Sequence, residues 1–475
     1  MERHAAPLTE GPIARTLIRL AIPIVLANML QTAYQMTDTF WVGRLSAGAV
    51  AAVSLSFPIN FLSIALGGGL PIAGTVLIAQ FRGRGDERAM NHVAAQTMLM
   101  VMVVSIVLSV MGYLLAEPIM HVMGAEPDVF HDAVTFLRVT FLGFIFVFGF
   151  FVFQSFMRGV GSVKLPLYVV FLTVVLNFVL DPLLIFGVGP IPPLGVAGAA
   201  WATLATQAIA TTIGFIVLFR GHDGLKLNLP DFRPDFRIIS TAFRLGFPTS
   251  IEQSTRAMGM TMMMLLVSGF GTLPVAGYGV GVRMLLFITV PALGLSIATS
   301  ALVGQNIGAG KLDRAIATTR VACFIAFTGL SVVGLVMFFI ATPLARFFAP
   351  QSGEAIEMSA QFIRIIAFSF GFIGLQQVIT GTLRGAGDTL AAMILAIIAL
   401  WVLQFPMAYL LSRDRMLGVQ GVWWAIALAN VIAAGVSITW YMQGRWTNKR
   451  VIDSIERDLE KRISDAAKID EGFTP

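Results

Sequence analysis

Long apolar runs separated by short polar joints account for nearly the whole chain. Twelve such runs fall at about 17–41, 49–79, 92–115, 135–157, 165–187, 196–219, 239–266, 275–303, 318–341, 362–382, 390–411 and 418–441. About 20 apolar residues suffice to cross a bilayer as a helix. The pattern therefore predicts an all-α polytopic membrane protein with twelve transmembrane helices. The first run departs from plain hydrophobicity: Asn28, Gln31, Tyr34 or Gln35, and Asp38 recur every three or four residues and so share one helical face. At ~1.5 Å per residue this run makes a helix of about 37 Å, long enough to span. An ionised Asp at mid-bilayer costs roughly 2.5–3.5 kcal/mol on insertion scales, so it belongs in a protein interior or a wet cavity. Pro23 interrupts the backbone ladder of the same helix and predicts a hinge. The plainer alternative is a helix buried in a bundle, its Asp permanently paired.

Composition agrees with a membrane chain. Of 475 residues, 57% are hydrophobic and 12% charged, against roughly 25% charged in a soluble protein. The single cysteine, Cys323, excludes an intrachain disulfide. No short apolar core with a small-residue cleavage site precedes the first run. Lys and Arg gather on one side of the predicted topology, and the opposite loops hold only Arg44, Arg346, Arg413 and Arg415. By the positive-inside rule both termini are expected in the cytoplasm. The net charge of +6 follows from that asymmetry and does not call for nucleic acid. Residues 1–16 form a cytoplasmic N-terminus, and 442–475 form a charged cytoplasmic tail suited to lie near anionic lipid.

The chain also repeats itself. Leu20, Pro23, Gln80, Gly83 and Gly85 match Leu245, Pro248, Gln305, Gly308 and Gly310. Phe136, Arg138, Arg158, Gly159 and Gly161 match Phe362, Arg364, Arg384, Gly385 and Gly387, and Gly195, Gly198, Trp201 and Ala202 match Gly418, Gly421, Trp424 and Ala425. Each half contains six spans, an even number, so the halves are parallel repeats enclosing a central cleft. The expected units are an N-lobe at 17–219, a linker at 220–238 broken by Gly221, Gly224, Pro230 and Pro234, and a C-lobe at 239–441.

Function is expected where the halves differ. Asp38 and Asp181 have no acidic counterparts in the second half, and both lie late in helices running the same way. Asn177 precedes Asp181 by one turn, and Thr203 reaches a similar depth from the next helix. Two carboxylates, an amide and a hydroxyl can hold a shared proton or a sodium ion. Alternatively, Asp181-Pro182 only caps a helix end. Glu252 and Arg256, one turn apart, read as a neutralised structural pair or as a coupling element, with Arg283 as a further C-lobe cation. Gly308-Ala309-Gly310-Lys311 lacks the first glycine and the Ser or Thr of a phosphate loop, and no zinc-protease or nucleophile-elbow motif is present. Transport without such machinery draws on an ion gradient: one charge through ~100 mV supplies about 2.3 kcal/mol.

Leu20-Ala21-Ile22-Pro23, Asp38-Thr39-Phe40-Trp41-Val42-Gly43, Arg158-Gly159-Val160-Gly161, Leu180-Asp181-Pro182, Gly195-Val196-Ala197-Gly198-Ala199-Ala200, Gly304-Gln305-Asn306-Ile307-Gly308-Ala309-Gly310 and Arg384-Gly385-Ala386-Gly387-Asp388 together resemble the multidrug and toxic compound extrusion family. The resemblance runs from Gly11 to Tyr441. It implies a V-shaped pair of six-helix lobes and proton-driven or sodium-driven export of bulky, often cationic or amphiphilic compounds, with no cofactor. In the branch similar to the DNA-damage-inducible F proteins, the coupling pattern falls here on Asp38, Asn177, Asp181 and Thr203. Tyr34 lies nearby, and Pro23 is the bend. Gln31 and Gln154 fall on cleft positions, and Asn28 shares the polar face of the first helix. The C-lobe acids of the other branches are replaced by Arg256 and Ile373. The implied setting is a monomer in the bacterial inner membrane. A flippase for lipid-linked sugars is the alternative, and it would call for a more basic cleft.

Overall fold

The computed structural model describes residues 8–190, 192–348, 353–413, 416–449 and 451–452; most of the expected tail lies outside them. The described residues are almost wholly helical, apart from one isolated bridge between His222 and Leu225. The first six spans are α1 (Ile13–Val42), α2 (Ala47–Arg84), α3 (Glu87–Val122), α4 (Pro127–Val160), α5 (Lys164–Phe186) and α6 (Val196–Arg220). The second six begin with α7 (Phe236–Ser268), α8 (Thr272–Gly308) and α9 (Leu312–Phe339), followed by the short α10 (Ala341–Phe348). The tenth span consists of α11 (Gly353–Ala367) and α12 (Phe370–Gly385), bent by 53° at their joint. The eleventh is α13 (Thr389–Ile397), a π-helical stretch over Ile398–Gln404, and α14 (Phe405–Leu411); the twelfth is α15 (Val419–Met442).

Ten helices qualify individually as spans by length and hydropathy, and the bent pair supplies an eleventh. The remaining one is α7, whose Glu252-Gln253-Ser254-Thr255-Arg256 stretch lowers its hydropathy in mid-helix. Its position in the repeat identifies it as a span where hydropathy does not. The tenth run, expected as one continuous helix at 362–382, is instead broken. At the break, the Ser369 hydroxyl donates to Ile366 O (2.8 Å) and accepts from Asn430 (3.4 Å), so side chains satisfy groups the backbone ladder leaves over.

Each lobe has a core of its own, and a further buried cluster joins them, with Leu17, Leu20 and Ile24 of α1 packed on Ala298 and Leu302 of α8 and Val378 of α12. The N-lobe is filled by a phenylalanine column on α4 that includes Phe144, Phe148, Phe150, Phe153 and Phe156. In the C-lobe, Trp423 stacks on Tyr278 (6.0 Å) and meets Phe362 edge-on (4.5 Å). Outward faces stay apolar, with Leu114, Phe178, Phe324 and Leu335 all exposed, as lipid contact requires.

The connections tie the halves together at the terminal face, where α1 begins and α15 ends. The linker is pinned to α3: Gln96 donates to Asp231 O (2.6 Å) and Arg233 O (2.8 Å) and accepts from Asp235 N (2.8 Å). Lys311 and Arg314 of the C-lobe donate to carbonyls of Thr9, Glu10 and Gly11. Ile452, beyond the last C-lobe helix, is buried in the cluster that joins the N-lobe to the first turns of α7.

Candidate functional site

Cross-lobe contact is concentrated toward the terminal face. There, Gln80 on α2 donates to Gly385 O (2.9 Å), and Gln305 on α8 donates to Gly159 O (2.8 Å). Donors and acceptors are mates in the repeat, so the two bonds are one contact made twice. α2 and α8 cross here with no room for side chains: a Cβ on Gly83 would fall on Gln305 O, and one on Gly308 on Gln80 O. Farther in, Gly294 of α8 packs on Val25 of α1, and Gly246 of α7 on Leu70 of α2. Three turns beyond the Val25–Gly294 contact, the same faces carry Met36 and Arg283, both exposed. Leu62 and Leu66 on α2, Met264 on α7 and Phe287 on α8 are exposed in the same outer halves. The tight helix crossings between the lobes thus lie toward the terminal face, while the outer halves of α1, α2, α7 and α8 expose apolar side chains and Arg283.

The expected N-lobe cluster forms between α1, α5 and α6. α5 continues through Pro182 to Phe186, so Asp181 lies within the helix and is fully buried, which removes the capping alternative. One turn earlier, Asn177 is also fully buried, and its amide donates to Asp181 Oδ1 (3.0 Å). Asp38, partly buried on α1, lies beside Asp181 and Asn177 and accepts from Thr203, whose hydroxyl is 3.4 Å from Asp38 Oδ2. Tyr34 is buried, and its hydroxyl shares a 2.7 Å bond with Thr206, which donates to Thr203 O (2.9 Å). Thr206 was absent from the sequence reading. It sits one turn after Thr203 in a stretch of small residues, where nothing in the pattern separates a ligand hydroxyl from a packing one.

These bonds leave Asp38 Oδ1, Asp181 Oδ2 and Asn177 Oδ1 buried without a hydrogen-bond donor. Three acceptor oxygens gathered in one buried place favour a positive charge among them. A proton between the carboxylates satisfies two of them. A sodium ion suits the same donor set, which is all oxygen and carries Thr203 at its edge.

The remaining expected residues divide. Asn28 and Gln31 lie on α1, partly buried, with no side-chain partner among the described residues. Gln154, expected in the cleft, is buried near the terminal face and accepts from Arg158 (2.6 Å). Pro23 sits buried in α1, as Pro248 does in α7. Glu252 is fully buried and bound to Arg256 (3.1 Å), as expected. A second guanidinium, that of Arg384 on α12, closes on it through Nε (3.2 Å) and Nη2 (2.5 Å). Arg256 also donates to Gln377 (3.2 Å). Arg283 takes no part. The role of Arg384 was missed because its position after the tenth run reads as an ordinary basic loop residue; its repeat mate, Arg158, was the available signal.

Comparison with known proteins agrees with this architecture. The MatE family profile matches the chain twice, over residues 23–183 and 248–410, once in each half. A probable multidrug resistance protein of Bacillus subtilis, YoeA, is 28% identical over 96% of this chain and all of its own length. The probable multidrug resistance protein NorM of Thermotoga maritima is 28% identical over 95% of this chain and 97% of its own. A crystallised multidrug resistance MATE family transporter of the MOP superfamily, described as outward-facing, superposes with a TM-score of 0.86 at 26% identity, covering 94% of this chain and all of that one. The duplicated profile match, the full-length relatives and the twelve-helix two-lobe architecture together make this integral membrane protein a member of the MatE family, a multidrug and toxic compound extrusion transporter for small molecules.

Proposed function

We propose that the protein is a secondary antiporter that exports drugs, toxic compounds or amphiphilic metabolites by alternating access, driven by a proton or sodium gradient through Asp38 and Asp181. The observation that supports this reading is the set of donorless oxygens on Asp38, Asp181 and Asn177, buried between α1, α5 and α6. With the termini cytoplasmic, as the basic residues suggest, the exposed outer halves face outward and the glutamine contacts close the inner side. A coupling ion arriving from outside neutralises the pair. Asn177 orients Asp181, Thr203 contacts Asp38, and the Tyr34–Thr206 bond holds α1 against α6. Neutralisation removes the like-charge repulsion between α1 and α5 and so changes the preferred packing of α1, which can bend at Pro23 toward the cleft and displace substrate.

Met36, Leu66, Met264 and Phe287 suit varied apolar bodies, since thioether side chains adapt their shape. Arg283 on the α8 wall directs a substrate's cationic end toward α1. Arg256 is engaged by Glu252 and Gln377, so the cleft lacks the dense basic lining a lipid-linked phosphate would call for. The test is dye efflux from energised vesicles, wild type against Asp38→Asn, with the proton and sodium gradients collapsed separately. Efflux lost with one gradient and in the variant, while the variant still inserts and binds dye, supports the reading and names the ion. Efflux indifferent to both gradients overturns it.

A further inference from the structure

The two halves end differently. After α6 the chain turns back on its own lobe: His222 meets Ser162 (2.9 Å) at the turn between α4 and α5, and Leu225 and Leu227 are buried in the N-lobe cluster. After α15 it begins in the same way. Trp446 is buried in a C-lobe cluster with Leu383 and Ala391, stacks on Tyr441 (5.3 Å) and donates to Tyr441 O (3.2 Å). Lys449 then pairs with Asp388 (3.4 Å) at the turn between α12 and α13, the repeat position of Ser162. Beyond this pair the likeness stops. Val451 lies against Gly387, where φ is +86° and a Cβ would fall on the valine side chain; the same point is 3.8 Å from Gln80 Nε2 of the N-lobe. Ile452 is buried in the cluster that holds Phe81 of α2 and Val93 of α3 together with Ile238 of α7. The segment thus starts in the C-lobe core and ends at the seam, beside the bond from Gln80 to Gly385.

We propose that residues 446–452 form a strap across the closed terminal face, which must leave the seam before the lobes part there. Parting draws α2 and α3 away from the turn between α12 and α13, while Trp446 and the Lys449–Asp388 pair keep the strap with the C-lobe. The cluster around Ile452 is then pulled open and its apolar side chains return to water, which weights the equilibrium toward the closed face. The strap rests on alternating access between the lobes, so the experiment reads the face itself and not efflux.

The test is the distance distribution between spin labels at Arg88 and Asp313, exposed repeat mates on the two lobes, in the full chain in nanodiscs with Cys323→Ala. Ile452→Ser is expected to raise the open-face fraction about tenfold. Lys449→Glu is expected to raise it about twofold, since exposed ion pairs are weak, and adding Asp388→Lys restores the wild-type fraction. A charge swap that fails to restore it overturns Lys449 as an anchor. The double variant Gln80→Ala with Gln305→Ala shows that the face can open. If that variant opens the face and Ile452→Ser leaves the distribution unchanged, the strap alone is overturned, even where Ile452→Ser lowers the unfolding midpoint. A face that stays closed in every variant overturns the strap together with alternating access.

Discussion

On α7 of the C-lobe, Glu252 is enclosed by the guanidinium groups of Arg256 and Arg384. At the matching place on α1 the N-lobe has Ala27, and its acid stands three turns farther along the same face, at Asp38, beside a second acid, Asp181. One helical frame thus carries two charge arrangements. In the C-lobe every buried charge of the cluster has an opposite charge within hydrogen-bonding distance, so the cluster works as a strut and has little to exchange. In the N-lobe, negative charge gathers in one place, and Arg158 lies in another, hydrogen-bonded to the neutral Gln154 and with no carboxylate beside it among the described residues. A duplicated lobe can keep its packing and still change role by moving one carboxylate.

The contrast fails or sharpens first at Glu252. Glu252→Gln leaves two guanidinium groups facing a neutral amide and is expected to lower stability by about 3–5 kcal/mol, the usual cost of breaking a buried pair from one side. Thermal unfolding of the purified protein reads this, and the surviving protein should keep the ion dependence of the wild type. If the variant is as stable as wild type but loses coupling, the roles of the lobes are reversed. Asp181→Asn should do the opposite: gradient-driven efflux falls at least about tenfold, by 1.4 kcal/mol or more, while the unfolding midpoint holds or rises because a like-charge contact is gone. A drop in stability with efflux intact would make Asp181 structural.

The cross-lobe bonds come next. Gln80→Ala and Gln305→Ala each remove a hydrogen bond with a net worth of about 0.5–1.5 kcal/mol. The double variant is expected to shift the closed population at the terminal face by about tenfold, visible as a changed distance distribution between spin labels on the two lobes. The single variants should contribute equally; an effect confined to one would show that the repeated contact is unequal in energy. The smallest change is Tyr34→Phe, which keeps the ring and removes the bond to Thr206. It should slow efflux by about fivefold without changing which ion drives it.

The fold was readable because each span is long enough to stand out and because repeat landmarks are rigid features such as Pro23 and Pro248. The bend between α11 and α12 was not readable: Ala367-Phe368-Ser369 has neither proline nor glycine, and the partner at the break, Asn430, lies far along the chain. The π-helical stretch over Ile398–Gln404 left no sequence signal either. In the site, depth and spacing placed Asp38, Asn177, Asp181 and Thr203 together, since acids in lipid are conspicuous. Thr206 and Arg384 were missed because a threonine among small residues and an arginine at a helix end are ordinary until their neighbours are known. Gln80 and Gln305 were recognised as repeated letters, and only the crossing of α2 and α8 gave them a task.

The reciprocity of those glutamines bears on how such a chain could arise. Each half supplies one donor and one acceptor to the other half, the arrangement found at an isologous interface between identical subunits. Two copies of a six-span chain would need a single glutamine and a single glycine carbonyl per copy to close both bonds. Gene fusion would then add only a tether, here the linker pinned by Gln96, and would free each half to drift: the contact that held the pair together stays symmetric, while the acids become private to one side.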